Sequence, residues 1–290
     1  MGGDAAAARP APCFAVLGHP VAHSLSPRMH EAAWAATGRA GRYVACDVPP
    51  GNLRAAVAGL TALGFAGCNC TVPHKGEACL LADRRSPEVE RTGSANTLSL
   101  GPGGEVSAET TDGPGFVEAL RSEAGWSPAG RVVLLLGAGG TARAVASALV
   151  AAGAEAVLVT NRTAARAREV ADALGGPVAA LGAPSSADLA AADLVVNCTT
   201  VGMDGVSSPL PRSALERLHP GTLVADAVYT PAERTPLLAL ARGRGLPTLG
   251  GLPMLAWQAA LAWRVWFGET GPAARMLAEA RSALAERRAR

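Results

Sequence analysis

The sequence predicts an α/β protein of two domains, each built around a mainly parallel sheet, with the last helices packing back on the first domain. Three observations predict it. Apolar strands alternate with helices over the first 72 residues and again from residue 131. A glycine loop sits between a strand and a helix in the middle of the chain, and a late helix carries three tryptophans that need cover. At 290 residues the chain has room for two domains of roughly 100–200 residues each. The expected division is 1–112, rejoined by 252–290, and 113–251.

Taken in order, Cys13-Phe14-Ala15-Val16-Leu17-Gly18 is an apolar run closed by Gly18-His19-Pro20, the pattern of a buried strand and its turn. Ser26 can cap a helix and Pro27 suits its first position; the helix runs through Trp34 and stops at Gly38. Residues 43–48 form a second strand. Leu53, Val57 and Leu60 share one face of a second helix, which Gly64 closes. Residues 67–72 form a third strand that Pro73 ends, leaving Lys75 on the loop past its carboxyl end. Residues 95–100 and 105–111 form a strand pair around Gly101-Pro102-Gly103-Gly104, ending at Thr111-Asp112-Gly113. A helix over 116–123 leads out of the first domain.

Residues 131–136 restart the alternation as a buried strand. The loop Gly137-Ala138-Gly139-Gly140-Thr141-Ala142 and a helix to Ala152 follow, then a strand over 156–160 and an Ala/Arg helix after Thr163. Residues 193–197 and 222–227 are further strands. After Gly251 the chain is helical, over 253–267 and from Pro272 to the end. Trp257, Trp263 and Trp266 give the first of these helices a bulky face, most simply covered by the N-terminal domain.

Composition narrows the function. A net charge of +2 gives no reason to expect nucleic acid or a charged membrane surface, and the longest apolar stretch, 144–160, is broken by Ser147, Gly153 and Glu155. The start, Met1-Gly2-Gly3-Asp4 followed by alanines, lacks the basic residues and aliphatic stretch of a signal peptide and reads as a tail. Six cysteines show neither Cys-x-x-Cys nor zinc-ligand spacing, so reduced thiols in a cytoplasmic protein are expected, with no metal.

The glycine loop points to a cofactor. Gly137 allows a tight turn, Gly139 lets backbone approach a pyrophosphate, and Ala142 permits close helix–strand packing. The helix amino end favours the phosphate charge. At the end of the next strand stand Asn161, Arg162 and Thr163, with Arg166 a turn onward, where an NAD site would place an acid. Arginine suits a 2′-phosphate, so NADP is expected on a Rossmann-type domain.

Lysine usage points to a proton. Of 26 Lys and Arg residues, Lys75 is the only lysine. Guanidinium stays charged at neutral pH, whereas an ammonium can be tuned to release a proton. Lys75 and Asp112 are both placed at strand ends of the first domain, where ligands collect. Asn69 and Asn96 lie nearby, and Ser24 and Ser26 at a helix start suit a carboxylate. The single glutamine, Gln258, and Tyr229 add polar tips to apolar stretches. Each also has an ordinary reading: Ser26 as a cap, Asn96 as a turn residue, Gln258 as a polar helix face.

Ser24-Leu25-Ser26-Pro27, Asn69-Cys70-Thr71-Val72-Pro73-His74-Lys75, Ala95-Asn96-Thr97, Thr111-Asp112-Gly113, Gly137-Ala138-Gly139-Gly140, Asn161-Arg162-Thr163, Val201-Gly202-Met203 and residues 251–258 resemble the shikimate dehydrogenase family, in order, over about residues 13–270. The resemblance implies NADPH-dependent, reversible reduction of 3-dehydroshikimate to shikimate in aromatic amino-acid biosynthesis. It implies Lys75 as acid/base with Asp112 as its partner, and Ser24, Ser26, Asn69, Thr71, Asn96, Tyr229 and Gln258 around the substrate. Gly137, Ala138, Gly139, Gly140, Thr141, Ala142, Asn161, Arg162, Thr163 and Arg166 would hold NADP, with Met203, Ala227 and Gly251 near the nicotinamide. A monomer or homodimer fits such a protein. Thr110 stands where the family has asparagine before Thr-Asp-Gly, Gly250 where it commonly has Asp, and Ala227 where a bulkier residue is frequent; these bear on substrate preference. A quinate or aminoshikimate paralogue, and a non-catalytic binder of NADP or the ring acid, are the alternatives.

Overall fold

Short apolar runs closed by glycine or proline become the central strands of two separate sheets. The structure, a computed structural model, describes residues 11–230 and 234–289; the tail expected at the first residues lies outside them. In the first half β1 (Cys13–Gly18), α1 (Ser26–Thr37), β2 (Arg42–Asp47), α2 (Leu53–Ala62), β3 (Gly67–Cys70), α3 (Lys75–Leu81), β4 (Arg84–Arg85), α4 (Pro87–Thr92), β5 (Thr97–Leu100) and β6 (Val106–Glu109) follow one another. Their sheet has the order β2-β1-β3-β5-β6-β4. It is parallel except along both edges of β5.

After α5 (Asp112–Ala124) come β7 (Val132–Leu136), α6 (Gly140–Ala151), β8 (Ala156–Thr160), α7 (Ala164–Leu174), β9 (Val178–Leu181), α8 (Ser186–Ala191), β10 (Leu194–Asn197), α9 (Arg212–Leu215), β11 (Leu223–Asp226), α10 (Pro236–Gly243) and β12 (Thr248–Leu249). This second sheet is wholly parallel, in the order β12-β11-β10-β7-β8-β9. The chain closes with α11 (Gly251–Phe267) and α12 (Ala273–Ala289).

The last two helices return to the first sheet, as expected. Trp263, Met276 and Leu284 bury against Phe14, Met29, Trp34 and Tyr43. Trp266 donates to the Leu98 carbonyl at 3.2 Å, while Trp257 turns the other way and donates to Ser122 of α5 at 2.8 Å. Arg28 ties α1 to α12 through Glu279 at 2.5 Å and Glu286 at 2.6 Å.

Between the sheets α5 is wedged against α6 and α11. A Cβ on Gly113 would lie 2.1 Å from the Ala144 carbonyl oxygen, and one on Gly115 would lie 2.7 Å from the Gln258 backbone nitrogen. Only hydrogen atoms at these two positions let three helices meet so closely, and this contact sets where Asp112 and Gln258 stand.

Three local expectations are corrected. Lys75 is the first residue of α3 rather than a loop residue, because Pro73 breaks the strand after Cys70 and the chain turns directly into a helix. Asp112 is the first residue of α5, not a strand end. Leu25, not Ser26, is the N-cap of α1; Ser26 is its first helical residue, with its backbone N–H donating to Ser24 Oγ at 3.2 Å.

Candidate active site

The sequence-predicted residues collect along two facing edges. Those of the first half lie at the carboxyl ends of β1, β3 and β6, and at the start of the antiparallel β5, which is the same edge. Those of the second half follow β7, β8, β10, β11 and β12, all at the carboxyl edge of the parallel sheet. That edge is where open α/β sheets take ligands.

Lys75 joins the two edges. Its ammonium donates to Asp112 Oδ2, and to Thr141 Oγ1 of the glycine loop at 2.9 Å. The pair is withdrawn from water, with side chains 15% and 6% exposed for Lys75 and Asp112. An ammonium with three donors spends two on these partners and keeps one for an incoming oxygen.

Behind the pair lies a continuous amide network. Asn96 donates to Asp112 Oδ1 at 2.9 Å, to Thr111 Oγ1 at 2.9 Å and to Gln258 Oε1 at 3.2 Å, and accepts from the Thr111 N–H at 2.8 Å. Asn69 donates to the Asn96 carbonyl and to Thr97 Oγ1, each at 3.0 Å. Tyr43 donates to Asn69 Oδ1 at 2.6 Å. Every member is buried, so each amide has one orientation that satisfies its neighbours. Burial pushes the Tyr43 phenol well above its ordinary value, keeping it a neutral donor. Its ring stacks on His30 at 4.2 Å, and burial drives that imidazole down to about 3, so it stays neutral too.

Among the expected substrate residues, Asn69, Asn96 and Gln258 sit in this network with Lys75 and Asp112. Ser26 is buried against the Tyr43 hydroxyl, and Ser24 and Thr71 are half-buried beside it on the same edge. Tyr229 stands apart from the network; its half-buried ring packs toward α11, and burial raises its phenol. Sequence reading misses Tyr43 and Thr111, although Tyr43 is one of only two tyrosines in the chain.

The residues at the second edge suit a dinucleotide phosphate. Gly137 adopts φ +112, which only glycine takes without strain, and turns β7 sharply into the loop. Gly139 has open space where a Cβ would stand, and no side chain caps the first turn of α6. The N–H groups of that turn therefore face outward with the helix dipole behind them. Ala138 and Ala142 are buried under the loop. Arg162 and Arg166 are exposed at the start of α7 without an ion pair among the described residues, and Asn161 Nδ2 braces the turn by donating to the Thr163 carbonyl at 3.0 Å. Met203 is 58% exposed beyond β10, Ala227 follows β11, and Gly251 passes so close that a Cβ would be 2.5 Å from the Ala227 carbonyl oxygen. Below them Asp226 is buried and held by Asn197 at 2.8 Å, the Val228 N–H at 3.0 Å and Thr235 at 2.5 Å; burial raises it to about 6. No cluster of metal-ligating side chains occurs among the described residues.

Comparison with known proteins agrees with this geometry. The shikimate dehydrogenase substrate binding domain family matches residues 16–98, the shikimate/quinate 5-dehydrogenase family residues 120–207, and the shikimate 5′-dehydrogenase C-terminal domain family residues 251–281. The chain is 46% identical over 257 residues to shikimate dehydrogenase (NADP(+)) of Rubrobacter xylanophilus, covering 87% of this chain and 89% of the relative. It is also 46% identical over 283 residues to that of Moorella thermoacetica, covering 93% of each. The structure of shikimate 5-dehydrogenase from Thermus thermophilus in complex with NADP(H) and shikimate aligns with a TM-score of 0.85 at 42% identity, over 94% of this chain and 99% of that one. With matches of this extent and order, the chain belongs to the shikimate dehydrogenase family.

Proposed function

We propose that this protein is an NADP-dependent oxidoreductase that reversibly reduces 3-dehydroshikimate to shikimate, a step of aromatic amino-acid biosynthesis. The observation that carries this reading is the buried Lys75–Asp112 pair held against Thr141 of the glycine loop. When bound, the cofactor in its reduced form, NADPH, would supply the hydride. Lys75 gives the proton to the ring oxygen as negative charge develops there, and Asp112 holds the ammonium in place. Asn69, Asn96, Thr71, Gln258 and Tyr229 orient the ring hydroxyls, and Ser24 and Ser26 take its carboxylate. Residues 137–142 hold the pyrophosphate, Asn161, Arg162, Thr163 and Arg166 the 2′-phosphate side, and Met203, Ala227 and Gly251 flank the nicotinamide. Residues 1–112 with 252–290 act as the substrate half and 113–251 as the cofactor half. The relatives' names and the NADP(H)–shikimate complex support this assignment. A non-catalytic binder has no need of a sequestered proton donor.

The test is an absorbance assay of NADPH with shikimate, quinate and aminoshikimate, run on the protein and on Lys75→Ala. Shikimate is expected to be turned over best, and the variant to lose a factor of about 10²–10⁴ in kcat with NADP binding near normal. Unchanged turnover in the variant would remove Lys75 from the mechanism.

A further inference from the structure

Ser24 and Ser26, assigned to the substrate carboxylate, can donate hydrogen bonds but carry no charge. A carboxylate drawn partly out of water is held more firmly when a cation stands beside those donors. The last helix supplies one.

Helix α12 returns along α1 and brings its carboxyl end to the amino end of α1. Ala280, Ala283 and Leu284 bury its inner face, and Arg28 of α1 grips Glu279 and Glu286. These contacts fix the next residue, Arg287. Its Nη1 donates to the His23 carbonyl at 2.8 Å, one position before Ser24. That bond uses one N–H of the guanidinium; the others have no partner among the described residues. Glu286, beside it in sequence, is turned to Arg28, so the Arg287 charge is not neutralised there.

The same charge reaches the other half of the molecule. It opposes the rise that burial imposes on the Tyr229 phenol, which follows β11. Arg287 thus has Ser24 of one half and Tyr229 of the other as neighbours, both half-buried, while its own side chain is exposed.

We propose that Arg287 is a substrate-recognition residue whose guanidinium supplies the positive charge for the carboxylate that Ser24 and Ser26 take. The proposal rests on the assigned reaction and adds a source of preference for ring acids over neutral rings. The hydroxyls fix where the carboxylate sits, and the guanidinium draws the anion in from solution.

Steady-state kinetics with shikimate at low and high salt, on the whole chain and on Arg287→Gln, Arg287→Lys and Arg288→Gln, test it. Arg287→Gln should raise KM for shikimate about three- to tenfold at low salt, more than it lowers kcat. High salt should raise KM of the original protein and leave that of Arg287→Gln nearly flat, because screening removes only what the charge contributed. Arg287→Lys, which keeps the charge, should recover most of the loss. Arg288→Gln, which changes net charge equally one position on, should have little effect. An unchanged KM in Arg287→Gln, no recovery with lysine, an undiminished salt response, or an equal rise from Arg288→Gln would each overturn the inference while the reaction stands. Absence of shikimate turnover in the unsubstituted protein would overturn the reaction itself and this inference with it.

Discussion

Tyr43 donates its hydroxyl to Asn69 Oδ1 at 2.6 Å, from one strand of the first sheet to another with β1 between them. Asn69 already uses both N–H groups on Asn96 and Thr97, and the tyrosine supplies the donor that its carbonyl oxygen accepts. Tyr43→Phe leaves that buried oxygen unpaired. The expected loss is about 1–3 kcal/mol of stability. KM for the ring acid should rise more than kcat falls, because the amide is freed rather than removed. Thermal denaturation and steady-state kinetics check both; an unchanged KM would show that Asn69 is oriented by its other bonds alone.

Arg162 is exposed at the end of β8 beside Arg166, with no carboxylate to neutralise it among the described residues. Arg162→Ala should raise KM for NADPH by about 10–100-fold, the size of a lost charge-assisted bond, and leave NADH nearly unaffected. Equal losses with both cofactors would mean that Arg162 does not meet the 2′-phosphate.

Asp226 carries a pH dependence whose sign follows from its burial. The folded protein holds this proton up to about 6, whereas the unfolded chain releases it near the ordinary 3.8. Between those values the native state binds more protons than the unfolded one. Its contribution is therefore fully present below pH about 4 and is lost as pH rises through about 6, a change of roughly 3 kcal/mol. Asp226→Asn, neutral throughout, should flatten the fall. Denaturant titrations of both proteins at pH 4.5 and 7.5 measure it, and parallel curves would refute the assignment.

Two glycines should respond to alanine with opposite signs. Gly115→Ala sets a methyl group 2.7 Å from the Gln258 backbone nitrogen, so helices must separate, at a cost of about 1–3 kcal/mol and with loss of turnover. Gly59→Ala, on the exposed side of α2 with open space around it, should stabilise by about 1 kcal/mol and leave turnover alone. Melting curves and kcat for the two variants decide.

Much of this architecture is legible because apolar runs end at visible stops. The strand over 156–160 has the expected bounds, and the first helix halts at Gly38, whose φ of +68 suits glycine. What escapes is short. Helices α3 and α4 have seven and six residues, too few for a 3.6-residue period to register, so the pattern leaves Lys75 on a loop. Helix α5 opens on Asp112-Gly113-Pro114-Gly115, which reads as a breaker, and no side chain caps it. The edge strands β4 and β12 have two residues each and carry no pattern at all.

The site divides along similar lines. Lys75, Asp112, Asn69, Asn96 and Gln258 stand out through scarcity and motif order, and they meet. The bond from Lys75 to Thr141 is not readable, because the two residues lie 66 positions apart, at the starts of helices that belong to different sheets' layers. Neither is Tyr43, whose partner is set by strand order rather than by spacing.

The wedge of α5 between α6 and α11 bears on how this chain can be recombined with its relatives. A chimera that exchanged only the nucleotide half would cut across a three-helix joint seated on hydrogen atoms at Gly113 and Gly115. Crossovers are better placed outside residues 112–151 and 251–267, so that all three helices travel with one parent. Swaps made inside those limits inherit a mismatched fulcrum, however similar the two donors are elsewhere.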